Sequence, residues 1–456
     1  MSEQSIALRL ERLPATRASW RRLALLSLGG FFEFYDMFLS AYVAPGLVRA
    51  HILTTTTPGL FGTQGIAGFV AALFAGLFIG TALFGFVADR FGRRTIFTAS
   101  LLWYSAASAV MAFQTSAFGL DLWRFLAGIG IGVELVTIDT FIAELVPSAM
   151  RGRAFAFNQI IQFCSIPMVA LLAWLLVPRT LFGLDGWRWV VLAGSGGAAI
   201  VWWLRLGLPE SPRWLAAHGH LREAEAILLR FENESPAEQR AGEQPPEDPS
   251  TEHKQGRFIE IWREPYRVRT VMLVIFNLFQ TVGFYGFSNW VPTLLMKQGV
   301  AFAASLEYTF VIAIAAPFGP LLAWLLTDRI ERKWLIVVSA LGIAVFGLAF
   351  AQMRAPFAVI LFGVLVTLAN NAMSFSFHAY QAELYPTRIR AAAVGFVYSW
   401  SRLSTVFSAF VIGWVLGRFG TPGVFALIAA SMLVVALAIG GLGPKTSNRS
   451  LESISA

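Results

Sequence analysis

The sequence predicts an all-α membrane protein with twelve transmembrane helices, arranged as two pseudo-symmetric six-helix bundles around a central cavity. Composition is the first observation behind this prediction. The 456 residues are 56% hydrophobic and 14% charged, whereas soluble domains are about 45–50% apolar and roughly 25% charged. Because a charge in hydrocarbon costs several kcal/mol, the shortage of charge is the stronger indication of a bilayer protein. The second observation is an internal repeat.

Two polar motifs occur twice in the chain at one fixed spacing. The first is GFVADRFGRR (85–94), which returns in weaker form as DRIERK (328–333). The second is FIAELVPSAMR (141–151), which returns as YQAELYPTRIR (380–390). In both motifs the aligned acidic residues are 239 positions apart. The chain therefore contains two copies of one unit, a plan typical of alternating-access transporters.

A helix needs about 20 mostly apolar residues to cross a bilayer. Runs of this kind before the central polar stretch lie near 23–48, 65–88, 95–114, 117–144, 154–177 and 187–207. Those after it lie near 269–296, 306–327, 334–352, 356–383, 391–417 and 421–441. These runs predict an N-terminal segment, a first bundle, a central loop with short helices, a second bundle and a tail, at 1–22, 23–207, 208–268, 269–441 and 442–456.

The basic loops set the expected orientation. Arginines and lysines cluster in the N-terminal segment, the repeated motifs and the central loop, whereas the loops on the other side carry single charges such as Arg49 and Arg179. We therefore expect a multi-pass protein of the cell inner (plasma) membrane, with both termini cytoplasmic. The net charge of +8 reflects these loops and does not indicate nucleic-acid binding. The lone Cys164 excludes a disulfide framework within one chain.

The motifs resemble those of the major facilitator superfamily. GFVADRFGRR resembles its loop signature, RFLAGIGIG (124–132) its fourth-helix motif, and PESPRWL (209–215) the motif after helix six in sugar porters and organic-ion transporters. The segment YGFSNWVPTLL (285–295) is similar to helix seven of bacterial nicotinate and other organic-acid transporters, whereas Asn158-Gln159 matches a sugar-porter pair whose glutamine binds sugar. The resemblance thus leaves an organic acid and a sugar open as substrates.

Three ionisable residues in apolar helices are predicted to couple transport to protons. Asp36 and Glu33 lie in the first apolar run, where an ionised carboxylate needs a wet cavity or a partner. Burial and a nearby cation shift proton affinity in opposite directions, so a carboxylate between them can take up and release a proton. By resemblance, Asp36 matches the helix-one aspartate of proton-coupled porters and Arg124 its helix-four partner. The alternative is a structural ion pair that never titrates.

Arg402 is the residue most indicative of the substrate. Its guanidinium cannot lose its proton and binds carboxylates in a bidentate manner. By resemblance, an arginine here implies an organic anion; the alternative is that Arg402 pairs with Asp36 or another acid. Tyr398 precedes it by one helical turn. Further substrate contacts are predicted from amides and aromatic rings in the apolar runs, which need polar partners or a cavity: Gln159, Asn277, Gln280, Asn371, Phe284, Tyr285 and Trp290.

The repeated motifs are predicted to act as gates rather than substrate sites. Cross-half pairs of Glu144 with Arg390 and of Glu383 with Arg151 would hold the cytoplasmic side shut in the outward-open state. Static bracing of the loops is the alternative. The other predicted gating residues are Asp89, Arg90, Arg93, Arg94, Asp328 and Arg329.

Together these features predict a secondary transporter that takes up a small organic acid with protons, an aromatic monocarboxylate such as nicotinate, as a monomer in the lipid bilayer. The expected partners are a small organic anion and protons, with no cofactor, metal or nucleic acid. The alternatives are a sugar or polyol proton symporter, an organic-ion or drug efflux antiporter, and a receptor that does not cycle. An enzyme is not expected, because the sequence has no phosphate-binding loop, metal-ligand cluster or nucleophile paired with a base.

Overall fold

The computed structural model describes residues 3–54, 57–60, 65–84, 90–147, 150–234, 258–327 and 330–446. We number the membrane helices α1–α12 in chain order and give surface helices by range. The first half holds α1 (Arg17–Arg49), α2 (Gly65–Phe84), α3 (Arg93–Met111), α4 (Ala117–Leu145), α5 (Arg151–Leu176) and α6 (Gly186–Arg205). The second half begins with α7 (Tyr266–Ser288, continued by Val291–Lys297), α8 (Phe302–Ala313 and Phe318–Thr327), α9 (Arg332–Gln352) and α10 (Pro356–Glu383). The run Thr387–Leu442 holds α11 and α12, which meet at Gly420.

The predicted series of membrane helices is present in the predicted order. Within the described residues, nine helical runs are long and apolar enough to cross a membrane. The last of these contains two helices, because Gly420, with φ of 65°, interrupts the helical backbone. The helices α3 and α6, of 19 and 20 residues, are less apolar because they carry arginine, serine and tryptophan side chains. With these two, the twelve-helix fold class is confirmed.

Two membrane helices are broken, which the sequence analysis did not predict. The first part of α7 ends at Ser288 and the second begins at Val291. The helix α8 is interrupted between Ala313 and Phe318. Proline explains both breaks, because Pro292 and Pro317 lack the N–H that would continue the helical ladder. Non-helical backbone of this kind is tolerated in a membrane protein where the surrounding protein buries it.

Close packing of α2 against α4 depends on glycines of both helices. An ideal Cβ on Gly128 would collide with the carbonyl oxygen of Leu73, and one on Gly132 with the carbonyl oxygen of Leu77. Gly76 and Gly80 meet the facing backbone of α4 in the same way. Small residues four apart let helix backbones approach closely. The glycines four apart in RFLAGIGIG are therefore packing residues.

Surface helices cover one end of the first half, which we call the motif side because the repeated loops lie there. The helix Glu3–Glu11 packs on Pro212–Ala217 and Leu221–Asn233 of the central segment. Its Arg9 pairs with Glu232 at 2.6 Å. The other end, the opposite side, carries a short antiparallel hairpin of Thr180–Leu181 and Leu184–Asp185. The central segment thus forms a cap on the motif side.

Candidate functional site

Asp36 of α1 and Arg124 of α4 form a buried ion pair, with Arg124 Nη1 lying 3.1 Å from Asp36 Oδ1. Arg124 is fully buried and Asp36 is 5% exposed. Ser108 Oγ lies 3.1 Å from both carboxylate oxygens of Asp36 and donates its hydrogen bond there. Arg124 also donates to the backbone carbonyl of Asp36 and, at 2.9 Å, to Ser40 Oγ. The structure therefore brings the predicted pair together in the core of the first half.

A second buried ion pair joins α4 to α6 and was missed by the sequence analysis. Arg205 Nη1 lies 2.9 Å from Glu134 Oε1, and both residues are fully buried. Arg205 also donates to the Leu26 carbonyl at 3.1 Å, and its guanidinium lies 3.6 Å from the Phe97 ring centroid. A Cβ on Gly29 would coincide with this guanidinium, so glycine is required there. The sequence feature that could have indicated this pair is an acidic residue in one apolar run and a basic residue in another.

Glu33, the third predicted coupling residue, is fully buried in α1. Neither of its carboxylate oxygens has a hydrogen-bond partner. The charges that act on it are Glu134, Asp139, Arg205 and Arg402. Charged groups of both halves therefore act on Glu33.

Arg402 of α11 is buried, with 3% of its surface exposed. Its Nη2 donates to the Tyr398 hydroxyl at 3.1 Å, and its guanidinium lies 4.9 Å from the Tyr398 ring centroid. Tyr285 also lies close enough to Arg402 to interact with it electrostatically. The Nε of Arg402 has no hydrogen-bond partner, and the acids near it, Glu33 and Asp139, act at longer range than an ion pair. Arg402 is therefore a buried cation with a donor available to a ligand.

Aromatic rings from both halves surround Tyr285. Its ring centroid lies 4.7 Å from that of Phe74, 5.0 Å from that of Phe284 and 6.4 Å from that of Phe38. Phe284 and Tyr285 were predicted as substrate contacts, whereas Phe38 and Phe74 were not. The sequence has forty phenylalanines, so composition and spacing alone could not identify these two as site residues. A flat ring bound beside Arg402 would lie near these aromatic side chains, because Tyr285 interacts electrostatically with Arg402.

The predicted amide contacts are in different environments. Gln159 of α5 and Gln280 of α7 are partly exposed, as contacts to a wet cavity must be. Asn277 is buried and donates to the Leu273 carbonyl of its own helix at 2.9 Å, while its oxygen has no partner. Asn371 of α10 donates at 2.9 Å to the Ala316 carbonyl in the break of α8. The nitrogen of Asn371 thus supports a broken helix, because that carbonyl lacks a helical donor.

Trp290 is a further predicted substrate contact. It lies in the break of α7, is 3% exposed and packs in the core of the second half. A Cβ on Gly413 of α11 would lie 3.6 Å from its ring and 2.8 Å from Cβ of Ala67 in α2. Trp290 therefore packs where α11 meets the first half, since the proline that breaks α7 turns this ring into the core.

The acidic gating residues pair within their own halves. Glu144 accepts from Arg93 at 3.2 Å, and Glu383 accepts from Arg332. Both pairs span 51 residues, so the sequence repeat extends to these contacts. The predicted pairs of the outward-open state were Glu144 with Arg390 and Glu383 with Arg151. Here each acid is instead held by the basic residue at the start of the neighbouring helix, because both lie at adjacent helix ends of one bundle.

Arg94 stabilises its own half. Its backbone N–H donates to the Glu210 carboxylate at 3.0 Å and its guanidinium to the Leu206 carbonyl at 2.6 Å. In the second half, Lys333 occupies the repeat position and donates to the Gly443 carbonyl at 2.7 Å, after α12. In each half, a basic side chain at the start of the third helix therefore donates a hydrogen bond to the backbone just after the last helix.

The remaining gating predictions are only partly described. Arg90 is exposed, and Arg151 is partly exposed, with two guanidinium nitrogens that have no partner. The side chain of Arg390 lies outside the described residues, as do the whole of Asp89, Asp328 and Arg329.

Two ring contacts join the halves on the opposite side. Trp174 of α5 stacks on Phe310 of α8, with ring centroids 5.5 Å apart. Arg49 of α1 lies 5.3 Å from the Phe302 ring centroid. In contrast, Asp139 of α4 and His378 of α10 are exposed although they lie close to Arg402. Aromatic contacts thus join the halves on the opposite side, whereas titratable groups near Arg402 are exposed in the motif-side parts of α4 and α10.

Known proteins resemble this chain along nearly its whole length. Residues 23–456 match the model of a family described as Sugar (and other) transporter. The putative metabolite transport protein YyaJ of Bacillus subtilis (strain 168) is 30% identical over 446 residues, covering 97% of this chain and 96% of the relative. The Niacin transporter NiaP of Acinetobacter baylyi is 28% identical over 452 residues, covering 98% of each chain.

A solved structure has the same fold. The xylose transporter XylE from E. coli, in a partially occluded inward open conformation, superposes with a TM-score of 0.74 at 21% identity, covering 95% of this chain and 99% of the other. The family and these relatives are membrane transporters, not enzymes.

Proposed function

Because this chain belongs to the Sugar (and other) transporter family, we propose that it takes up a small organic acid together with protons by alternating access. The substrate class is an aromatic monocarboxylate such as nicotinate. The protein acts as a monomer in the inner membrane, with both termini in the cytoplasm. Among the relatives, the Niacin transporter NiaP supports this substrate class.

The observation that carries the proposal is the state of Arg402. It is a buried guanidinium that donates a hydrogen bond to the neutral Tyr398 hydroxyl, and its Nε has no hydrogen-bond partner. A buried cation without a bonded carboxylate is costly, and a substrate carboxylate would supply the missing charge through bidentate hydrogen bonds. The rings around Tyr285 would hold the aromatic part of the same molecule, since offset or edge-on ring pairs are favourable.

Protons enter the mechanism at Asp36. Its carboxylate is held by Arg124 and Ser108, so its protonation would release Arg124 from an ion pair in the core of the first half. We propose that Asp36 takes up a proton when the opposite side is open and releases it when the motif side is open. A gradient equivalent to about 100 mV supplies roughly 2.3 kcal/mol for each proton, which is about a 50-fold accumulation of substrate.

The described conformation is assigned as inward-facing. The motif side carries the basic loops, and these lie in the cytoplasm of inner-membrane proteins. In the cycle, substrate and proton bind with the opposite side open, the halves rock, and both leave through the open motif side. The cross-half pairs of Glu144 and Glu383 remain the predicted latch of the outward-open state.

A sugar symporter is the second candidate. The partly exposed Gln159 of α5 is in the position of a sugar-binding glutamine by resemblance, and the family name includes sugars. In that case Gln159, and not Arg402, would dominate binding.

The two candidates separate in a competition experiment. Purified protein in liposomes is loaded with nicotinate, and exchange with labelled nicotinate is measured in the presence of competitors. We expect benzoate to compete and nicotinamide, the neutral amide of the same ring, not to compete. Glucose and xylose should have no effect, and Gln159→Ala should retain most exchange. Competition by hexoses or pentoses, with none by carboxylates, would select the sugar symporter instead. Export of cationic drugs alone would select an efflux antiporter.

A further inference from the structure

We propose that Glu33 is a second proton-binding residue of the transporter, and that its ionised carboxylate competes with the substrate carboxylate for Arg402. This inference rests on the proposed function and adds to it a direct link between proton binding and anion affinity. Glu33 makes none of the described hydrogen bonds with Asp36 or Arg124. In this proposal it lies in the first half and acts on Arg402 of the second half.

The position of Glu33 follows from its helix. Gly29 and Gly30 lie one turn before it in α1, and ideal Cβ atoms there would meet the guanidinium of Arg205 and, at 2.8 Å, Nε2 of Gln162. Residues three and four apart share a helix face. Glu33 therefore faces α5 and α6 at the level of the Glu134–Arg205 pair, and its side chain is fully buried with both oxygens unpartnered.

Two arginines act on Glu33, and only one of them already has a carboxylate partner. Arg205 is bound by Glu134 at 2.9 Å and by the Leu26 carbonyl. Arg402 is bound by the neutral Tyr398 hydroxyl and has an unpartnered Nε. An ionised Glu33 therefore has Arg402 as its available counter-charge. The titratable and charged groups that face Glu33 come from α3, α4, α6, α7 and α11, and they are Tyr104, Glu134, Asp139, Arg205, Tyr285 and Arg402.

The acidic residues of this region, including Glu33, outnumber the arginines, so protonation of one carboxylate would balance the charge. The buried or cavity-facing acids are Glu33, Asp36, Glu134 and Asp139, and the arginines among them are Arg124, Arg205 and Arg402. One negative charge is therefore uncompensated when all are ionised, and a bound carboxylate adds another. A buried carboxylate without hydrogen bonds is costly as an anion. Protonation of a Glu33 oxygen by water removes one negative charge. Arg402 is then available to bind the substrate carboxylate.

Release follows from the same competition. When the substrate leaves through the open motif side, Glu33 gives its proton to water in the cavity where Asp139 is exposed. Its carboxylate is then attracted to Arg402, and the empty carrier keeps that cation neutralised while it returns. Asp36 differs, because Arg124 and Ser108 stabilise its charge within its own half.

The test is the pH dependence of binding. Affinity for nicotinate is measured by calorimetry on the full-length protein in lipid nanodiscs between pH 5.5 and 8.5. We expect the Kd of the wild type to increase with pH, because ionised Glu33 competes for Arg402. One linked proton changes Kd by up to about tenfold per pH unit. Glu33→Gln should reduce the slope of log Kd against pH by about one and bind more tightly than the wild type at pH 8.5, whereas Glu33→Asp should keep the slope.

Each other outcome has a definite meaning. A wild type that binds nicotinate, with a Glu33→Gln variant that has the same slope, would overturn the role of Glu33 alone. A wild type that binds no carboxylate at any pH would overturn the proposed function and this inference with it. If Glu33→Gln does not purify as a monodisperse protein, Glu33→Asp decides. Its shorter side chain should move the midpoint of the pH profile, and an unchanged midpoint would overturn the proposal.

Discussion

At the scale of single residues, three of the arginines that are buried in the described part of the chain differ in what neutralises them. Arg124 has Asp36 and Arg205 has Glu134, both within 3.1 Å. Arg402 has hydroxyl groups of tyrosine near it and acids only at longer range. A buried arginine normally needs a carboxylate, so Arg402 is the one of the three that is suited to bind a substrate anion.

The first prediction separates charge from geometry at this residue. Arg402→Lys keeps the cation but loses the bidentate guanidinium, and we expect the Kd for nicotinate to increase about tenfold. Arg402→Ala removes the charge-assisted bonds as well, worth about 2–3 kcal/mol, or roughly 30- to 150-fold. Calorimetry on the purified variants measures both. Equal affinity of Arg402→Ala and wild type would exclude a carboxylate contact at this position.

The second prediction concerns Gly29, which is glycine because of Arg205. A methyl group there must displace the guanidinium from Glu134 and from the Leu26 carbonyl. Breaking a buried ion pair costs about 3–5 kcal/mol, so Gly29→Ala should lower the thermal midpoint by several degrees. Gly196→Ala in α6 is the matched control, because a Cβ there meets nothing within 4 Å. The idea fails if both variants unfold at the wild-type temperature in fluorescence melting.

Sequence reasoning predicted one of the two ion pairs. Asp36 and Arg124 could be matched to motifs, and their contact is present. Glu134 and Arg205 belong neither to the repeated motifs nor to the family motifs, and each shares its apolar run with other charged residues. Which helices face each other is set by the packing of the whole half, so spacing along the chain cannot identify such partners.

At the scale of elements, the broken helices need polar side chains from their neighbours. Asn371 of α10 donates to the Ala316 carbonyl at 2.9 Å, in the break of α8. The adjacent Asn370 is 1% exposed, and neither of its amide atoms has a hydrogen-bond partner. Two neighbouring asparagines of one helix thus differ in whether their amide is bonded.

The third prediction follows from this contrast. Asn371→Ala leaves a buried carbonyl without a donor, which costs about 1–3 kcal/mol, and should lower the melting temperature. Asn370→Ala removes the same volume but two unpaired polar atoms, so we expect no loss. Thermal melting of both variants in one detergent makes the comparison. A larger loss for Asn370→Ala would mean that Asn370, and not Asn371, supports the fold.

The helices were predictable and their breaks were not. Runs of about 20 apolar residues identified every membrane helix, including α3 and α6, which are less apolar than the helices that qualify as spans. The breaks in α7 and α8 were missed, because a proline in an apolar run is compatible with either a kink or a break. Which of these occurs depends on neighbours such as Asn371.

At the scale of the whole molecule, the two halves share a fold but not their charges. The repeat offset of 239 residues places Ile275 and Gly363 at the positions of Asp36 and Arg124, and Phe163 at the position of Arg402. The proposed proton site therefore belongs to the first half and the proposed anion site to the second. Coupling between them requires the two halves to move relative to each other, as alternating access does.

The fourth prediction tests that movement. A Cβ on Gly413 would lie 2.8 Å from Cβ of Ala67, within about 1 Å of the spacing of a disulfide. In a Cys164→Ser background, Ala67→Cys with Gly413→Cys should cross-link α2 to α11 under oxidation and stop transport, because the opposite side can no longer open. Reduction should restore it. Full transport by the cross-linked protein, measured beside each single cysteine variant, would show that the halves do not separate there.

The sequence could not predict which side of the molecule is open. The repeated motifs predicted latches, and the same residues are found in pairs within each half. In the proposed cycle one sequence adopts both conformations, with different partners for Glu144 and Glu383 in each. Composition and spacing are properties of the sequence, so they cannot indicate which conformation is present.

The central claim is that a proton site in one half drives a carboxylate bound in the other. The most direct measurement is accumulation of labelled nicotinate in liposomes with and without an inward proton gradient, for wild type, Asp36→Asn and Arg402→Ala, beside exchange at equal pH. We expect gradient-driven accumulation by wild type only, exchange retained in Asp36→Asn, and both activities lost in Arg402→Ala. Gradient-driven accumulation by Asp36→Asn at the wild-type level, or wild-type exchange by Arg402→Ala, would contradict this account.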